Sequence, residues 1–526
     1  MSEKVIDRAI NAGMSSSSRE RSSERNIVAI AKDGGITFAG KMFLSAVRLV
    51  TAVIVARLLG ADQYGMYNLA LSTANIAIGL AVFGLDSALI RYIAIQASRK
   101  DEKGVWGTLQ VGVGVATLLS VITGTFIFGL AYYLAETVFH EPRLVPLLQF
   151  TGVIVPLLTM SEVLAGALRG FKRMDYPVIA QFVFQPVVRL IMIVVLAFTG
   201  FNAVHAILTF GLADLAASIM LIYFLNKEFS LRRSVRAARR DFRTIFEFSI
   251  PVWLSEMLVK FHGNIQTLIL GSLNTITGVG IFSVASQISM VSSQFSSSIN
   301  TSAKPVIAEL HDRADMREMG QIYQTANKWA VMVQIPIFIT MVLFPAPILS
   351  LFGESFTDGA LALSIIALAD LLKVGTGMGG IIIDMTGYTK LKLVNSIFRL
   401  VANLGLDILL IPRWGLLGAA VAALIGEGFI NLLRLFQVFF LFRLIPYNRT
   451  FIKPVIAGVI TLASAFLIKT WLILDGGLFF VIANTGLLLA VYLGMTLLMG
   501  FSPEDQAVIG FIRQRANKLF SKNSGK

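Results

Sequence analysis

The chain has 526 residues, 56% of them hydrophobic and only 14% charged, with a mean hydropathy of +0.75. A soluble domain of that size could not clothe such a surface in polar groups, so most of the chain belongs in a bilayer. The absence of cysteine excludes disulfides, cysteine-based zinc sites and thiol catalysis, and the net charge of +14 leaves nucleic acid or anionic lipid as the counter-surface until the basic residues are placed.

In chain order, residues 1–33 are polar, serine-rich and mixed in charge, with no apolar signal core, and read as a disordered cytoplasmic tail. From Gly35 onward, apolar segments long enough for a hydrocarbon core of roughly 30 Å succeed one another. Fourteen are predicted, at 35–59, 65–90, 106–134, 144–168, 178–199, 202–225, 246–270, 277–301, 325–352, 358–385, 391–411, 415–441, 451–473 and 476–499. The expected fold is an all-α integral membrane protein of about 14 transmembrane helices: two pseudo-symmetric six-helix lobes plus two C-terminal helices. The N-lobe spans 34–225, a basic cytoplasmic linker 226–245, the C-lobe 246–441 and the last two helices 442–499. Residues 500–526 form an amphipathic, basic cytoplasmic tail, opened by an N-cap pattern at Ser502-Pro503-Glu504-Asp505.

Placing the basic residues on this frame tests it. With the N-terminus inside, 33 of the 45 Lys and Arg residues fall in tails and loops on the inner side, three (Arg143, Arg413, Lys469) fall outside, and nine lie within helices. That is the asymmetry of the positive-inside rule, and it directs the excess charge to anionic lipid headgroups rather than nucleic acid.

The two halves look like repeats. LLGADQYGMYNLA (58–70) and ILGSLNTITGVGIFSVA (269–285) align Gly60 with Gly271, and Gly65, Tyr67 and Ala70 with Gly280, Phe282 and Ala285, with four extra residues in the second loop. Two repeats of one orientation imply a pseudo-two-fold axis along the membrane normal, with a central cavity between them. Residues 403–427, NLGLDILLIPRWGLLGAAVAALIGE, read as an apolar hairpin turning at Pro412-Arg413-Trp414-Gly415, with small residues Gly418 to Ala423 for close helix packing.

The stretches RLLGADQYGMYNLA (57–70) and 403–427 resemble the polysaccharide flippases, the O-antigen and polysaccharide transporter branch of the multidrug/oligosaccharidyl-lipid/polysaccharide exporter superfamily. The resemblance covers essentially the whole membrane domain; Asp407 stands where relatives more often carry a neutral polar residue. It implies a transporter, not an enzyme, that moves a polyprenyl-linked oligosaccharide from the cytoplasmic to the outer leaflet of the plasma membrane by alternating access. The implied partners are that substrate, membrane lipid and other polysaccharide-assembly proteins, without nucleic acid. No cofactor is implied beyond coupling to protons or sodium. A flippase for the peptidoglycan precursor and a drug/cation antiporter of the same superfamily are the alternatives. A membrane glycosyltransferase would need a sizeable outer loop with an acidic motif, and ATP hydrolysis a phosphate-binding Gly-x-x-x-x-Gly-Lys-Ser/Thr loop; neither is present.

Ionisable side chains at membrane depth cost roughly 2.5–3.5 kcal/mol each on insertion scales, so each needs a partner or water. In the second half, Glu256 with Lys260, Asp370 with Lys373, the row Arg399, Asn403, Asp407 and the row Glu427, Asn431, Arg434 each share a helix face, at spacings that allow internal neutralisation. In the first half, Arg48, Arg189, Glu162 and Asp214 have no opposite charge one turn away, and Asp86 has only Arg91. Lys41 and Arg48 share a face, as a basic stripe leading inward. A guanidinium offers paired hydrogen bonds to a pyrophosphate, so Arg48, Arg189, Lys260 and Arg399 are the expected headgroup ligands. The competing expectation for Arg48 and Arg189 is an ion pair with Glu162 or Asp214. Asp86, Glu162, Asp214 and Glu427 are the candidates for ion coupling. Arg57 is expected to snorkel at a helix end. The four histidines, His140, His205, His262 and His311, show no metal-ligand spacing.

Overall fold

The computed structural model describes residues 16–198, 200–231, 234, 238–468, 478–500 and 505–506, with side chains described at 42, 45–198, 200–231, 234, 238–465, 483–500 and 505–506. All regular structure among them is helical. The first half comprises α1 (Ser16–Val82), α2 (Leu85–Ser98), α3 (Glu102–Tyr133), α4 (Leu144–Gly170), α5 (Asp175–Ala197) and α6 (Ala203–Glu228). The second comprises α7 (Phe242–Leu273), α8 (Ile276–Ser292), α9 (Gln294–Asp312), α10 (Met316–Leu343), α11 (Ala360–Gly375), α12 (Gly379–Met385) and α13 (Thr389–Phe442), followed by α14 (Ile452–Ile468) and α15 (Leu478–Leu498).

Each of the fourteen expected segments falls on helix where it is described, but the number fourteen is not what the helices themselves return. Among the described residues, eight helices qualify as spans by length and apolarity, or nine with α8 and α9 taken as one span bent by 48°. Two of the missing spans are fused into their neighbours, in the runs Ser45–Ser98 and Thr389–Phe442, and the other three correspond to α7, α14 and α15, which do not meet the length and apolarity required over their described residues. In α1 the run bends at Gly60 (φ 68°), and in α13 at Gly415 (φ 53°), both in the left-handed region that a glycine enters without strain. The hairpin therefore turns at Gly415, while Pro412 stays within the helix.

Two further expectations shift. The first helix begins at Ser16, inside the tail read as disordered to residue 33: no glycine or proline interrupts 16–33, so a helix nucleated in the membrane can propagate back through it. The repeat is also less regular than the alignment. Gly60 breaks its helix, whereas Gly271 lies within α7, which runs on to Leu273 because the extra loop residues move the turn to Asn274-Thr275. Residues 1–15, the tail from 507 onward, the Lys41 side chain and the cap residues 502–504 lie outside the described residues.

The largest core fills the first half and continues into the second where the 60, 274 and 415 turns gather, a face called here the hairpin side. Val55, Leu59, Tyr64, Leu69, Val279 and Phe282 are buried there together with Leu349, Phe356 and Ile411. The repeat-related glycines meet at this seam: a Cβ on Gly65 would lie 2.0 Å from the Ile276 carbonyl oxygen, and one on Gly280 2.1 Å from that of Ala61. Two backbones are thus in direct contact across the pseudo-axis, as small residues permit in lipid. Two smaller cores lie in the second half, one of which joins α10 to α14 and α15 through Ile335, Ile339, Ala457 and Tyr492.

On the opposite, linker side, the basic linker is fastened to the first half. Trp106 Nε1 donates to the Ser234 carbonyl (3.1 Å), the Arg239 amide to the Lys103 carbonyl (3.0 Å) and Arg240 Nε to Gln110 (2.9 Å), while the Arg239 guanidinium pairs with Asp101.

Candidate functional site

The charged residues of the membrane region sort into three groups. The first surrounds α5. Its helix widens into a π turn at Val178–Phe184, a distortion often found at functional positions, immediately before Gln185 and Arg189. Among the described residues the Arg189 guanidinium donates to no carboxylate. Its Nη2 donates to the Tyr67 hydroxyl, its plane lies 4.9 Å from the Phe210 ring, and its Nε is buried without a partner. Asp214, 8% exposed on α6, accepts from Gln185 Nε2 (3.1 Å) instead. Arg48, exposed on α1, lies 5.8 Å from the Phe182 ring and makes no ion pair among the described residues. Neither arginine is therefore locked to Glu162 or Asp214, and both keep guanidinium capacity. Glu162 is exposed on α4.

The second group lies on the seam between the halves, where the stretch 75–92 packs along α7. Trp253 Nε1 donates to the Gly79 carbonyl (3.0 Å), Asn75 to Asn264 (3.2 Å), Ser87 to Glu256 (3.2 Å) and Tyr92 to the Thr244 carbonyl (3.1 Å). The charges of Asp86, Lys260 and Glu162 all reach Glu256, so four ionisable groups from three helices share one locality. Asp86 Oδ1 is buried with no hydrogen-bond partner among the described residues. Glu256 and Lys260 do not form the expected pair: Glu256 turns to Ser87, and the Lys260 stem packs against Gly79.

The third group is in the second half, built on the α13 hairpin. Arg399 and Glu427, one from each arm, form an ion pair; Asn431 steadies the same carboxylate (3.2 Å), and His262 Nε2 of α7 lies 3.8 Å from it. Arg399 is thus engaged by a carboxylate, unlike Arg48 and Arg189, and Glu427 sits between two basic groups. Asp407 accepts from Gln266 Nε2 (2.8 Å), which also donates to the Ala419 carbonyl (2.9 Å). Asp370 does not pair with Lys373; it takes the hydroxyls of Ser289 and Ser292. Close contacts of these charges therefore run mostly between helices: Arg399 to Glu427 across the hairpin, and Glu256, Asp370 and Asp407 to hydroxyl or amide groups of facing helices, while Asn431 alone holds its expected neighbour Glu427 along one helix.

Lys373 and Arg434 instead face a pocket of about 270 Å³, lined wholly by second-half residues, where α11 breaks from α12 at Gly377 (φ 79°). Sequence reasoning missed this pocket and the place of His262: Gly377 marks the break, but nothing in the spacing announces that residues near 300, 373, 395 and 434 converge. Arg57, exposed near the end of its helix as expected of a snorkelling side chain, also has a partner the spacing did not announce: its Nε donates to the Leu351 carbonyl (2.7 Å) at the end of the short helix Pro345–Ser350, fastening the two halves on the hairpin side.

Comparison with known proteins sets this geometry in context. Residues 30–311 match the family model described as polysaccharide biosynthesis protein, and 251–409 match the MatE model. The chain is 24% identical to stage V sporulation protein B of Bacillus subtilis over 76% of this chain and 81% of that one. It is 23% identical to the probable flippase AglR of Haloferax volcanii over the same shares. Among solved structures, the lipid II flippase MurJ in an inward closed conformation superposes with a TM-score of 0.70 at 16% identity, over 88% of this chain and 98% of that one. That likeness establishes a shared multi-pass membrane fold.

Proposed function

Because the chain belongs to the polysaccharide biosynthesis protein family, we propose that it is a flippase carrying a polyprenyl-(pyro)phosphate-linked oligosaccharide from the cytoplasmic to the outer leaflet. The observation that carries this reading is Arg189: a guanidinium at membrane depth, seated on Tyr67 of the family-like motif, with no carboxylate partner and a free Nε. A charge kept there with no carboxylate in direct contact, Asp214 acting on it only at a distance, is costly, and a planar fork is suited to a phosphate oxygen pair. Arg48, likewise without an ion pair and borne on the neighbouring α1, is its companion in headgroup binding. Lys260 joins them from the seam. Arg399, held by Glu427, is reassigned to positioning.

The chain works in the plasma membrane with both termini cytoplasmic, as a carrier without enzymatic activity or a resident cofactor. Contacts between the halves at Gly65 and Gly280 on the hairpin side, and between 79–92 and α7 toward the linker side, are the two seams that alternating access opens in turn. Of the coupling candidates, Asp86 has a buried, unpartnered oxygen beside Glu256 and Lys260 and is the strongest site for proton or sodium uptake. Asp214, Glu162 and Glu427 are secondary. Other polysaccharide-assembly proteins supply the substrate.

The likeness to the lipid II flippase favours one further reading, transport of the peptidoglycan precursor, which shares the same pyrophosphate chemistry. A flipping assay in vesicles with defined polyprenyl-linked sugars decides. Wild type moves the oligosaccharide substrate, and Arg48→Ala and Arg189→Ala each reduce transport at least tenfold, the scale of one charge-assisted hydrogen bond. Unchanged transport in both variants removes the headgroup site.

A further inference from the structure

We propose that the second-half pocket is a separate subsite for a carboxylate-bearing sugar of the transported glycan. This rests on the flippase reading above and names the class of substrate it serves. The pocket is lined by Lys373, Arg434 and Lys392, together with the polar side chains of Ser296, Asn300 and Ser396. Carboxylates in the neighbourhood are already engaged: Asp384 with Lys392 (2.6 Å), Glu427 with Arg399, and Asp370 with Ser289 and Ser292. The side chains of Lys373 and Arg434 have no hydrogen-bond or ion-pair partner among the described residues; Lys373 feels the Asp370 carboxylate first and then the positive charges of Arg399 and Arg434. Two like charges held beside one cavity in a membrane domain are stabilised by a bound anion.

The shape of the lining separates this anion from the pyrophosphate. The cations flank hydroxyl and amide groups, the donors and acceptors that a sugar ring requires, rather than forming a continuous arginine fork. The guanidinium lies along Gly380, whose missing side chain leaves it 3.5 Å from the position a Cβ would take. Among the described residues none of the first half lines the pocket, whereas Arg48 and Arg189 make their contacts with Phe182, Tyr67 and Phe210. The substrate therefore meets two basic sites, one in each half: the first for the phosphates, the second for an acidic sugar.

The test compares two polyprenyl-pyrophosphate disaccharides that differ only in one sugar, glucose against glucuronate, in vesicles of zwitterionic lipid so that no anionic headgroup competes. Wild type is expected to move the glucuronate substrate roughly tenfold faster or more, the fold-change of a charge-assisted hydrogen bond. In Arg434→Gln and Lys373→Gln the ratio of the two rates falls toward one, and Arg434→Lys keeps the preference. A wild-type ratio of one overturns the subsite. So does an equal slowing of both substrates by Arg434→Gln with the ratio preserved, which assigns the pocket to the shared pyrophosphate. Wild type that moves neither substrate sinks the flippase reading itself, and the subsite with it.

Discussion

Replacing Gly280 by alanine acts on the point where the two halves touch backbone to backbone. The added Cβ would stand 2.1 Å from the Ala61 carbonyl oxygen, a group that cannot rotate aside, and contacts below 3.0 Å are essentially never seen. The seam must open by at least 3.0 − 2.1 = 0.9 Å locally. Overpacking of this kind costs about 1–3 kcal/mol where no flexible side chain can give way. If the strain exists only while the hairpin side is closed, that energy shifts the equilibrium between closed and open forms by roughly 5- to 150-fold. The absence of native cysteine makes the assay clean. A single cysteine at Tyr64, 3% exposed beneath the seam, is labelled with a membrane-impermeant maleimide applied to the hairpin side of oriented vesicles. Gly280→Ala is expected to raise the labelling rate by at least fivefold, and Gly65→Ala, its pseudo-symmetric partner at 2.0 Å from the Ile276 oxygen, to do the same. Unchanged labelling in both variants, with intact folding by thermal unfolding, would refute the idea that this contact closes the hairpin side.

Four further outcomes follow from the same structure. Arg57→Ala removes the 2.7 Å bond to the Leu351 carbonyl, worth about 1.5–3 kcal/mol for a charged donor, and raises labelling at the same cysteine; a rate equal to wild type contradicts the fastening role. Arg399→Gln leaves Glu427 with His262 at 3.8 Å as its nearest basic group. It lowers unfolding stability in detergent by about 3 kcal/mol, the low end for breaking a buried pair because both side chains keep some exposure; the double variant with Glu427→Gln recovers much of the loss. In the loop on the hairpin side, the hydrogen bond from Arg143 to Glu141 holds that carboxyl below its ordinary value of 4.5. A depressed folded pKa gives stability that is present above the unfolded value and lost as pH falls through the folded one, so wild type loses stability below about pH 4.5 and Glu141→Gln shows a flatter acid limb. Transport measured with and without an imposed ion gradient should lose its gradient dependence in Asp86→Asn; full sensitivity there, as in Glu162→Gln and Asp214→Asn, rejects the coupling assignments.

Much of the architecture was legible because lipid imposes long apolar runs and basic loops, both visible one residue at a time. The matched glycines were legible too, and Gly65 and Gly280 proved to touch each other. What escaped was everything set by helix rotation. Spacing placed Asp370 and Lys373 on one face, but Ser289 and Ser292 arrive from α8 and take the carboxylate. Arg399 and Glu427 are 28 positions apart, and only the Gly415 turn brings them together. Arg57, read as an interfacial side chain, found acceptors at Leu351 and Ser350, nearly 300 positions away, because a helix end left carbonyls unsatisfied there.

The linker's attachment carries a mechanical consequence. Ser234, Arg239 and Arg240 are each held by residues 101–110 of the first half, so these described points of the linker are anchored to it. The chain then enters α7 directly at Asp241, whose carboxylate caps that helix through the Thr244 amide (3.1 Å) and hydroxyl (2.6 Å). Little slack separates the last described anchor on the first half, Arg240, from the first turn of α7, so a displacement of either reaches the other within one or two peptide units.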